Sequence, residues 1–100
     1  MPFPPLKLLR QQCRIDSDNH AEDDLLDTYS RAAIKRAESY LNRRLYEDAV
    51  PDTDPDGLLV TEDITLAIML TVGFWYDNRD AQSLPLGFQA LLEPYRFIPL

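Results

Sequence analysis

Asp52, Asp54 and Asp56, followed by Gly57 and by Asp63 at the twelfth position of the run, have the spacing with which a helix–loop–helix holds calcium. Alternate carboxylates in such a loop converge on one hard cation, and the glycine permits the sharp turn that brings them round. Three features count against it. Asp63 is shorter than the glutamate that would bind side-on, Pro55 interrupts the loop, and Pro51 stands where the incoming helix should still be running. An acidic, solvated connector over 47–59 is the preferred reading, with no metal and no cofactor. A calcium-binding helix–loop–helix module using 52–63 is the alternative.

Little else in the chain has the makings of catalysis. His20, the one histidine, stands among acids at a helix start, where it reads as solvated rather than as a general base. Cys13, the one cysteine, lies on the apolar side of a short helix with no base near it in sequence, and reads as a packed thiol. There is no phosphate-cradling glycine loop, no paired metal-ligand set and no nucleophile elbow. No enzymatic activity is expected.

Ten basic residues against seventeen acidic ones give a net charge of −7. Gripping nucleic acid by its phosphates needs the opposite balance. A small dimeric DNA-binding bundle would have to use Arg31, Lys35, Arg36, Arg43 and Arg44, which are interleaved with acids at one end, and it ranks low. Phe74, Trp75 and Tyr76 lack the cations of a base-stacking platform and read as packing. A lone cysteine and an N-terminus without a basic, apolar leader suggest a reducing cytoplasmic origin. The most apolar block, Ile64 to Tyr76, is well short of the roughly 20 residues that span a bilayer. A soluble protein without membrane contact is expected.

The pattern of apolar residues predicts an all-α, four-helix domain covering 1–100. Two helices are long (about 20–45 and 61–80) and two are short (about 5–13 and 85–93). In the first, Leu6, Leu9 and Cys13 share a side. In the second, Asp18 or Asn19 caps the start, and Leu26, Tyr29, Ala33, Ala37, Tyr40 and Leu41 form a stripe widened by Leu25 and Ile34. Asp27 and Arg31 are spaced for an ion pair on the opposite side. Thr61 caps the third helix, whose core stripe is Ile64, Ile68, Val72 and Trp75. Gly73 suggests a close approach of another element.

The third helix is apolar nearly all round, more than a chain of this length readily covers. Surplus hydrophobicity therefore sends Met69, Leu70, Phe74 and Tyr76 to a subunit contact. The closing segment 95–100 is an apolar tail that either folds back or docks on a partner. Its Tyr95, Phe97, Ile98 and Leu100 are assigned to docking, with Arg79 and Arg96 as latches to acidic neighbours. Truncation after Pro94 should spare folding and abolish incorporation into an assembly.

Three stretches together resemble the small head–tail connector proteins of long-tailed bacteriophages and prophages. They are Leu6 to Asp16 with the following Asp23-Asp24-Leu25-Leu26; the long second helix with Ala32-Ala33 and Tyr40-Leu41; and Ile64 to Arg79, ending Trp75-Tyr76-Asp77-Asn78-Arg79, with Leu84-Pro85 and Leu91-Leu92-Glu93-Pro94-Tyr95-Arg96 after it. The segment beyond Arg96 is more apolar than in that family. The resemblance implies a non-enzymatic virion protein at the head–tail junction, made in the host cytoplasm. It implies a ring of copies, dodecameric when docked on the portal protein, that extends the DNA channel and completes the head. It further implies a next head-completion or tail protein as partner, and DNA passing through without sequence-specific binding.

Overall fold

The computed structural model describes residues 4–16, 18–78 and 83–97, and of Leu86 the backbone alone. Along the chain come α1 (Leu6–Gln12), α2 (Asp23–Leu41), β1 (Leu45–Tyr46), β2 (Leu58–Leu59), α3 (Glu62–Asp77), α4 (Leu86–Leu92) and a 3-10 turn, Glu93–Tyr95. The fold is thus mostly helical, and the all-α expectation needs one correction. β1 and β2 pair in parallel, Leu45 beside Leu58 and Tyr46 beside Leu59, with Leu58 N–H donating to the Arg44 carbonyl at 2.8 Å and Val60 N–H to that of Tyr46 at 2.9 Å. Strands this short show no readable alternation.

Both long helices are shorter than expected. α2 stops at Leu41 because Asn42 turns left-handed (φ 58°) while its N–H still reaches the Glu38 carbonyl. Asparagine tolerates that conformation better than most residues. At the other end Asn19 does not cap the helix; its Oδ1 accepts from Ala21 N–H at 3.1 Å in a turn that precedes it. α3 begins after Thr61 as expected, yet the Thr61 hydroxyl makes no capping bond and is buried without a partner among the described residues.

α3 is the central helix. It packs on α4, on α2 and on α1, so three elements of its own chain cover it. Its buried residues include Ile64, Ile68, Val72 and Trp75, the expected stripe, together with Ala67, Thr71 and Gly73. Facing them are Leu9 of α1, Leu26, Ala33, Ala37 and Leu41 of α2, and Phe88 and Leu92 of α4. Two buried hydroxyls are satisfied locally. Thr71 donates to the Ala67 carbonyl at 2.9 Å and Ser30 to that of Asp27 at 2.8 Å, so neither penalises burial.

Gly73 explains how α1 lies so close. A Cβ there would come within 3.2 Å of both Cγ and Nε2 of Gln12. α1 is also tied to α2 electrostatically. Buried Arg10 donates from Nη1 to Asp23 Oδ1 at 2.7 Å, and exposed His20 approaches the other carboxylate oxygen at 2.9 Å.

Candidate functional site

The residues that the sequence sends to a subunit contact lie on α3, and the structure half-buries all four it describes. Met69, Phe74 and Tyr76 pack against the chain's own core, and Leu70 lies beside Gly87 of α4. Arg79 lies outside the described residues. The surplus hydrophobicity of this helix is therefore largely absorbed by α1, α2 and α4. The residue left out is Leu66, 45 % exposed and absent from the expected contact. Its position was readable: two residues past Ile64 is about 200° round the helix, opposite the core stripe.

The closing segment folds back as far as it is described. Tyr95 donates its hydroxyl to Asp63 Oδ2 at 3.1 Å. Arg96 donates from Nε to the Tyr40 carbonyl at 3.1 Å, its guanidinium 4.9 Å from the centre of the Tyr40 ring. Phe97 N–H donates to the Leu41 carbonyl at 2.8 Å. Tyr40 and Leu41 end α2, so their carbonyls lack helical partners and a segment more than fifty residues away supplies them. Tyr95 and Arg96 thus bond within the chain, and the side chains of Arg96 and Phe97 are both exposed. Ile98 and Leu100 lie outside the described residues.

Arg43 holds this end of the molecule together. From one guanidinium it donates to the carbonyls of Asp56 at 2.7 Å, Gly57 at 3.2 Å and Tyr95 at 3.2 Å. A planar fork with five donors suits such a junction. In the sequence Arg43 stands only as one of several basic residues interleaved with acids, because the three carbonyls meet through tertiary folding.

The acidic connector is a folded loop. Turns join Pro51 to Asp54 and Asp54 to Gly57, and the Tyr46 hydroxyl donates to Asp54 Oδ2 at 2.6 Å. That carboxylate raises the Tyr46 pKa above the ordinary phenol value. Gly57 is buried against the Tyr46 ring, where a Cβ would meet Cε2 at 2.7 Å. The carboxylates do not converge as a calcium loop requires: Asp54 faces Tyr46, and Asp63 faces Tyr95. Among the described residues, no three His, Cys, Asp or Glu side chains group as metal ligands.

His20 remains exposed beside Asp23. Cys13 is half-buried, and burial with the nearby charge of Asp77 pushes its thiol up to about 11. A thiol so placed is protonated at neutral pH and a poor nucleophile.

A groove of about 720 Å³ runs between α2, the start of α1 and the β pair. Leu6, Ile34, Leu45 and Val60 give it an apolar lining, and Asp24, Asp27 and Glu47 rim it. No pattern in the sequence marked it, since its walls come from α1, α2, β1 and the segment at Val60 that follows β2.

Among protein families, the model of the phage gp6-like head-tail connector protein matches residues 5–96. The chain belongs to that family. Comparisons with curated proteins and with solved structures found no match. The connector is accordingly a structural component of the phage virion that joins head and tail, in contact with other head and tail proteins. Among its described residues no helix is long and apolar enough to cross a membrane.

Proposed function

We propose that the connector, acting as one domain over residues 1–100, assembles as a ring on the portal protein after DNA packaging. The ring extends the DNA channel and presents a surface to the next head-completion or tail protein. Copies made in the host cytoplasm join the particle as it matures. The observation that carries this reading is the family match over 5–96, which spans every described helix. The net charge of −7 supports a conduit that DNA crosses without being held, since the chain repels phosphates on balance.

Two apolar surfaces suit the partners of such a ring. Leu66, flanked by half-buried Met69 and Leu70, offers a strip on α3. Exposed Phe97 opens the apolar run Phe97-Ile98-Pro99-Leu100, which fits docking on the portal or the following protein. Native mass measurement and negative-stain imaging, alone and with purified portal, test the proposal. Closed rings, free or capping the portal, are the expected result. A monodisperse monomer or dimer that ignores the portal would overturn it.

A further inference from the structure

The outer face of α1 carries a cationic, apolar surface. Leu8 is 37 % exposed, and Lys7, Gln11 and Arg14 around it are exposed too. No acidic residue occurs before Asp16, and neither Lys7 nor Arg14 has an acidic partner among the described residues. The groove beside α2 has the complementary character. Its lining is apolar at Ile34, Leu45 and Val60. At its rim Asp27 is paired with Arg31 at 2.8 Å, whereas Asp24 and Glu47 have no cationic partner among the described residues.

α1 cannot fill its own groove. Leu6 already lines it, and Leu8, two residues on, points about 200° further round the helix. Knob and groove therefore lie on opposite flanks of one helix, and they can meet only between molecules. We propose that Leu8, with Lys7 and Arg14, docks into the α2–β groove of a second copy, placing the cations against Asp24 and Glu47. The two surfaces are different, so the contact is head-to-tail, and repetition closes a ring or runs on as a filament. The inference rests on the ring reading and names its subunit contact, leaving the α3 strip and Phe97 for other virion proteins.

The test is charge reversal in the full chain. Lys7→Glu/Arg14→Glu reverses the knob and Asp24→Lys/Glu47→Lys reverses the groove; all four sites are exposed, and unchanged helical circular dichroism checks the fold. By sedimentation velocity, wild type is expected to self-associate, less so as salt is raised. Each reversed protein alone should associate about tenfold or more weakly, and an equal mixture should regain association because opposite charges face again. Wild type that stays monomeric to roughly millimolar concentration overturns the proposal. Reversal that leaves association unchanged, or a mixture that is not rescued, also overturns it. Rings that still form on the portal with either reversed protein alone would overturn the groove contact while sparing the ring; no rings with wild type would overturn the ring itself.

Discussion

Arg10 Nη1 donates to Asp23 Oδ1 at 2.7 Å, and this pair joins the buried side of α1 to the first turn of α2. The bond from Arg10, then that from His20, holds the Asp23 carboxyl below its ordinary range. A depressed folded-state pKa contributes stability that is present above the unfolded value and lost as pH falls through the folded one. Thermal midpoints followed downward from pH 6 should therefore fall for wild type as pH drops below about 4, the ordinary carboxyl range. Asp23→Asn should be less stable at neutral pH and lose less on acidification. Parallel acid limbs for the two proteins would refute the linkage.

Gly73 and Gln12 should be coupled. Alanine at a helix-interior glycine gains about 1 kcal/mol of propensity, but here the new Cβ presses on Gln12 at 3.2 Å. In a Gln12→Ala background, Gly73→Ala should recover most of that gain; in wild type it should recover less. Urea denaturation of the four proteins closes the cycle, and simple additivity would show that the contact carries no strain.

The closing segment bonds back onto the helices, so truncation after Pro94 should cost stability, where the sequence alone suggested that it would spare folding. Such a truncation removes the groups that bond Asp63, Tyr40, Leu41 and Arg43. A loss of about 1–3 kcal/mol is expected, as for a few partly exposed hydrogen bonds. Truncation after Phe97 keeps them and should cost less than truncation after Pro94. Equal midpoints for both truncations would show that the fold-back is not held in solution.

Arg43→Met keeps much of the side-chain volume and removes the three carbonyl contacts. Destabilisation of about 1.5–3 kcal/mol is expected from bonds made by a charged donor. Hydrogen exchange should quicken at Leu58 and Phe97, whose N–H groups pair beside this junction. Unchanged protection at both would remove Arg43 from its role as the clamp.

Cys13 should resist alkylation. With its thiol pushed up to about 11, labelling of the native protein at pH 8 should be much slower than of the urea-unfolded chain. Because the folded pKa lies above the unfolded one, Cys13 favours folding below pH 9 and loses that contribution as pH rises from about 9 towards 11. Cys13→Ser should show a smaller decline over that window, measured by thermal midpoint. Native labelling as fast as unfolded labelling would contradict the burial.

The helices, their order and much of the core were legible in the sequence because they rest on local chemistry. The repeat of Leu26, Ala33, Ala37 and Leu41, the stripe from Ile64 to Trp75, the Asp27–Arg31 spacing and the prolines around α4 all act within a few residues. Family membership was legible for a related reason, as it lies in the order of such segments along the chain. What tertiary structure decided was where surplus groups go. An α3 apolar on every side could equally meet another subunit or three neighbours of its own, and only the folded chain puts Phe74 and Tyr76 against its own core while leaving Leu66 outside. The parallel pair, the Arg43 junction and the groove facing away from Leu8 each join residues far apart in sequence. Local periodicity carries no record of such meetings, since they follow from how whole helices pack.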